Sequence, residues 1–101
     1  MKRIYISGPI SGTSDYMQRF KNAEKILKNK NKNFEIVNPA VENAKLPDGT
    51  SWETYMGESL KMLCGCDTIF MMRNWLFSRG AKIERMVAEQ LSLNILEEVS
   101  L

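Results

Sequence analysis

Residues 66–89, CDTIFMMRNWLFSRGAKIERMVAE, decide the fold. Thr68 to Met72 is a continuous apolar run, the pattern of a strand covered on both faces. Asn74 to Phe77 reads as a loop. Ser78 is a natural N-cap for a helix that follows. Within that helix Ala81, Glu84, Ala88 and Leu91 share one stripe, with Ile83, Val87 and Gln90 on the adjoining one. A buried strand, a crossing loop and a helix make one half of a strand–helix–strand unit. Leu93 to Leu96 supplies a last short strand.

Working outward, the same alternation recurs. Arg3 to Ile6 (RIYI) is short, aromatic and β-branched, and so suits a strand. Ser7-Gly8-Pro9-Ile10-Ser11-Gly12 then fixes a turn, and its glycines let a ligand approach the backbone. A helix is expected to start near Thr13 to Asp15, with Tyr16, Phe20, Ala23 and Leu27 on its inner face. Phe34 to Val37 is a second strand, ended by Asn38-Pro39-Ala40. Residues 41–49 read as a loop. Thr50-x-x-Glu53 reads as a capping box opening a helix with Trp52, Met56, Leu60 and Leu63 on its buried side. The order is βα, βα, βα, β, which argues a mainly parallel sheet with helices on both faces. Ligands in such sheets sit beyond the carboxyl ends of the strands. The loops at 7–12, 38–49 and 73–78 all belong to that edge.

The chain has 101 residues, so one domain spanning 1–101 is expected. A net charge of +2, with scattered basic residues, gives no footprint for polymeric nucleic acid. No apolar run approaches the ~20 residues of a membrane span, and residues 1–10 lack the order of a signal peptide. A cytoplasmic protein with reduced Cys64 and Cys66 is expected. A C-x-C pair in a chain without His is a poor zinc site, so no metal or other cofactor is expected. The absence of His also removes the usual general base, which leaves acid–base work to carboxylates.

Glu84 stands out on that criterion. Ala81 and Ala88 let its helix press against the sheet, and a carboxylate on such a stripe is costly unless paired or employed. It either forms an ion pair with a cation such as Arg3 or Arg73, reaches solvent, or has a chemical task. Asp67 either caps a turn or shapes a site. Trp75 either stacks on a base or fills the core. Arg79 is either a phosphate ligand or a surface charge. The glycine loop before the first helix is either an ordinary βα turn or a phosphate cradle at a helix N-terminus.

The segments YISGPISG (5–12), VNPA (37–40), W-x-x-Y-M (52–56), CD-x-I (66–69) and NW-x-x-S-x-GA-x-x-E (74–84) resemble the nucleoside 2-deoxyribosyltransferase-like superfamily, in its small bacterial and phage branch. The resemblance covers roughly residues 3–96. It implies a Rossmann-like or flavodoxin-like α/β fold with four to five mainly parallel strands. It also implies chemistry at the N-glycosidic bond of a nucleoside or nucleoside 5′-monophosphate, by hydrolysis or deoxyribosyl transfer. By the same resemblance Glu84 is the nucleophile at the anomeric carbon or stabilises its positive charge, and Asp67 is expected as a second catalytic residue. Tyr5, Ser7, Gly8, Pro9, Ile10, Ser11, Gly12, Asn38, Trp75, Ser78 and Gly80 are its expected substrate contacts. A homodimer or higher oligomer is implied as well. The chain departs from the relatives at Ser59, where they usually carry an aspartate, and at Ser11, where the hydrolases carry an arginine. A non-catalytic nucleotide-binding module, acting as a sensor or a sequestering protein, is therefore the alternative.

Overall fold

The computed structural model describes residues 2–10, 12–30 and 33–100. Strand β1 (Lys2–Ser7) leads to helix α1 (Tyr16–Lys30), β2 (Phe34–Val37), a short α2 (Pro39–Asn43) and α3 (Trp52–Cys64). Then come β3 (Thr68–Met71), a 3-10 turn (Trp75–Phe77), α4 (Arg79–Gln90), β4 (Asn94–Glu97) and a final 3-10 turn (Glu98–Ser100). The strands form one parallel sheet in the order β2-β1-β3-β4. β1 lies in its interior, with Ile4 opposite Ile36 on one side and Ile6 opposite Phe70 on the other. This is the parallel α/β sheet that the alternation of elements predicts, in the Rossmann-like form that the resemblance implies.

Side-chain alternation along β1 divides the interior into two cores. Ile4 and Ile6 pack with Phe70 against Phe20, Ala23 and Leu27 of α1. Tyr5 packs on the opposite face with Ile69, Met71, Leu63 of α3, and Ala81 and Ala88 of α4. Three layers result. Among the described residues no helix is long and apolar enough to cross a membrane.

Three local expectations are corrected. Residues 41–49 are not all loop, because α2 occupies Pro39–Asn43. Pro39 sits in the first helical turn, where its fixed φ suits a helix and its missing N–H leaves nothing unpaired. Asn38 caps that helix, its Oδ1 accepting the N–H of Ala40 at 3.0 Å and of Val41 at 3.4 Å. The cap of α3 is Ser51, which accepts the Thr54 N–H, whereas the Thr50 hydroxyl donates to the Pro47 carbonyl. Leu91 ends outside the buried stripe of α4 and is exposed.

Candidate active site

The site is built where α4 crosses the carboxyl end of β1. Ser78 caps α4, its Oγ accepting the Ala81 N–H at 3.0 Å. Ala81 and Ala88 are almost fully buried, so α4 lies close on the sheet. Glu84, one turn beyond Ala81, is thereby carried inward and is only 6% exposed. Its two carboxylate oxygens meet two hydroxyls from β1. Tyr5 Oη donates to Oε2 at 2.5 Å, and Ser7 Oγ donates to Oε1 at 2.6 Å. Residues two apart on a strand share a face, so β1 presents both donors to one carboxylate.

Among the described residues no cation forms an ion pair with Glu84. Arg3 instead reaches the Gly65 carbonyl and pairs with Glu35. Burial pushes the Glu84 carboxyl up to about 7, against the opposing pull of the Ser7 and Tyr5 hydroxyls. Burial also raises the Tyr5 hydroxyl well above its ordinary value, and the Glu84 charge adds to this. Tyr5 therefore stays a proton donor across the neutral range, while Glu84 changes state within it.

Glu84 opens on a cavity of about 480 Å³. Its lining comes from Tyr5, Ile6, Gly8 and Ile10 of β1 and its loop, Tyr16 and Phe20 of α1, and Asn43 of α2. α3 adds Trp52, Tyr55, Met56 and Ser59, and the approach to α4 adds Phe77, Ser78, Arg79 and Gly80. Two polar features stand in these walls. Asn43 Nδ2 donates to Ser59 Oγ at 2.9 Å, and both residues are buried. The Arg79 guanidinium lies 4.1 Å from the Trp52 ring centre. Phe77 stands 90% exposed beside the same cavity.

The first loop supplies backbone rather than bulk. A Cβ placed on Gly8 would come within 2.5 Å of Met72 Sδ and 3.0 Å of its Cβ, so only glycine lets this turn pass the end of β3. Gly12 has φ +80, in the left-handed region.

The structure thus brings Tyr5, Ser7, Gly8, Ile10, Ser78, Gly80 and Glu84 together, and leaves other expected site residues elsewhere. Asp67 immediately precedes β3 and so sits at the amino edge of the sheet. There its Oδ1 accepts the Arg3 N–H, and it does not line the cavity. Asn38 is occupied in capping α2 and in donating to Glu24. Trp75 packs on the core beneath α4, with the Arg85 guanidinium 4.7 Å from its ring. Pro9 is buried and Gly12 exposed, and neither lines the cavity. Ser11 lies outside the described residues. The walls also hold residues that periodicity alone does not single out, notably Asn43 and Tyr55. Reading residues 41–49 as loop hides Asn43, which the end of α2 carries. Among the described residues no group of three His, Cys, Asp or Glu side chains is placed to hold a metal ion.

Comparison with solved structures matches the fold. The 2-desoxiribosyltransferase from Leishmania mexicana superposes with a TM-score of 0.69 at 23% sequence identity, covering 96% of this chain and 63% of that one. The present chain thus spans less than two thirds of that protein's length. The fold implied by the resemblance to the nucleoside 2-deoxyribosyltransferase-like superfamily is the fold observed. No curated protein matches the sequence. A family model does, over residues 2–97, and the chain belongs to that family, described as a domain of unknown function (DUF4406).

Proposed function

We propose that the cavity takes a nucleoside or nucleoside 5′-monophosphate and that Glu84 acts on its N-glycosidic bond. The observation that carries this reading is a buried carboxylate, held by two hydroxyls, that opens on an aromatic-walled cavity of about 480 Å³. That volume suits a small organic ligand. Breaking an N-glycosidic bond builds positive charge on the anomeric carbon, and a carboxylate in a dry site stabilises it strongly. Glu84 attacks that carbon as the base departs, forming a glycosyl ester. Water then completes a hydrolysis, or a second base completes a transfer. Tyr5 and Ser7 hold the carboxylate in position and favour its ionised form. Gly8 and Ser78 line the sugar side, and Ser59 with Asn43 the base side. The likeness in fold to a 2-desoxiribosyltransferase and the sequence resemblance both support the assignment.

One observation favours a second reading, a non-catalytic nucleotide-binding module. Among the described lining residues no second carboxyl stands ready to protonate a leaving base. One experiment separates the two. Wild type and Glu84→Ala are incubated with nucleosides, their monophosphates and NAD, with and without an acceptor base, and free base is measured chromatographically. Base release by wild type and none by Glu84→Ala is expected. Exchange with the acceptor identifies a transferase. Silence together with ligand-induced stabilisation, about 2.7 kcal/mol at a ligand concentration one hundred times Kd, identifies the binding module.

A further inference from the structure

The cavity contains one carboxyl where N-glycoside cleavage ordinarily employs two acid–base groups. Among the described lining residues the remaining polar side-chain groups are hydroxyls, the Asn43 amide, the Trp52 indole N–H and the Arg79 guanidinium. The chain has no His. Glu84 cannot serve as both partners in one step, because attack needs its carboxylate and protonation of the base needs its acid form. Ser59, buried in the wall, is already engaged by the Asn43 amide. That pair can hydrogen-bond a base edge, but it supplies no proton of carboxylic strength.

We infer that the preferred substrate is an N-glycoside whose ring nitrogen is already cationic, such as a pyridinium or N7-alkylated purine riboside, which leaves without being protonated. The inference rests on the glycosidic reading of the cavity. In this reaction the bond between the anomeric carbon and the ring nitrogen breaks, and its electron pair stays on the nitrogen. The positive charge of the ring is cancelled, so the base departs neutral. A Glu84 oxygen forms the new bond to the anomeric carbon. Water then displaces Glu84 and yields the free sugar, and one proton passes to solvent. A neutral purine or pyrimidine would instead depart as an anion and needs a proton that this wall does not hold. The walls agree with a cationic ring, since Tyr16, Tyr55 and Phe77 offer aromatic surface that attracts one. The Arg79 guanidinium also lines the cavity, lying against the Trp52 face, and the Glu84 carboxylate faces the same space with the opposite charge.

The test is a matched pair, 7-methylguanosine against guanosine, each as riboside and 2′-deoxyriboside, with and without 5′-phosphate. Rates are taken above the Glu84→Ala background. Wild type is expected to act at least about 100-fold faster on the methylated member, the scale of a missing general acid. Ser59→Asp, which places a carboxyl in the base-side wall, is expected to narrow that ratio at least tenfold by raising the guanosine rate. Its fold is checked by urea unfolding, and Asn43→Asp, on the other side of the same hydrogen bond, takes its place if it does not fold. Equal rates on both members of the pair overturn this inference and leave the glycosidic reading standing. Silence on every substrate overturns both. A ratio that Ser59→Asp leaves unchanged in a folded protein also overturns the inference, since the preference then belongs to the substrate alone.

Discussion

Replacing Glu84 by Gln tests the energetic account of the site without requiring a substrate. In the folded protein the Glu84 carboxyl is pushed up to about 7 from an ordinary 4.5, chiefly by burial. The folded state therefore holds the proton more tightly than the unfolded chain does. The stability this contributes is complete below about 4.5 and is lost as pH rises through about 7. Each pH unit across that interval is worth about 1.4 kcal/mol, so the whole interval amounts to about 3 kcal/mol. Gln keeps the shape and does not titrate. Urea unfolding of both proteins at pH 4.5, 5.5, 6.5 and 7.5 gives the stability difference, wild type minus variant, in which most other titrating groups cancel. That difference is expected to fall by about 3 kcal/mol from the lowest pH to the highest, and to level off above 7. A flat difference would mean that Glu84 is no more costly to ionise in the fold than in water. A difference that rises with pH would mean that its carboxylate is net stabilised, and either result refutes the burial argument.

Tyr5→Phe removes the donor to Oε2 with little change in packing. A hydrogen bond to a charged group contributes about 1.5–3 kcal/mol, so the Glu84 carboxyl is expected to rise by roughly one to two pH units, read by carboxyl carbon NMR. In the proposed mechanism Glu84 attacks in its ionised form, so the acid limb of any base-release profile should move to higher pH by the same amount. Gly8→Ala drives a Cβ into Met72 and is expected to destabilise the fold by about 1–3 kcal/mol, with partial recovery in Gly8→Ala/Met72→Ala, both measured by urea midpoint. Asn38→Ala is expected to lose about 1 kcal/mol of stability through the uncapped α2 while KM for any turned-over nucleoside stays as in wild type. A raised KM would return Asn38 to the binding surface.

Local signals were readable in the sequence where the physics is local. Ser78 as a cap and Ala81, Glu84 and Ala88 as one buried stripe follow from helical spacing, and the structure has them so. That Glu84 lies on a partly buried stripe was legible for the same reason, but not that its carboxyl is itself buried. What it touches was not, because Tyr5 and Ser7 reach it across the sheet, and no periodicity within α4 reports on β1. Asp67 shows where a motif misleads. Its neighbourhood in sequence is the functional stretch, but it precedes a parallel strand, and strand polarity sends it to the opposite edge from Glu84. Asn38-Pro39 is ambiguous in itself, since the same dipeptide that ends a strand also starts a helix. Trp75 lies in the crossing loop, yet the 3-10 turn directs it to the core, and the exposed aromatic beside the cavity is Phe77 instead.

The hydrogen bond from Tyr5 to Glu84 joins residues 79 apart in the chain. Closing so long a loop is entropically slow and comes after the local contacts of the helices. β1 emerges early in synthesis and α4 late, so most of the chain exists before the carboxylate can meet its two hydroxyls. The pairing therefore cannot form until α4 itself has been made. A chain without α4 in place holds its two hydroxyls and its carboxylate apart, and a local opening of α4 separates them again.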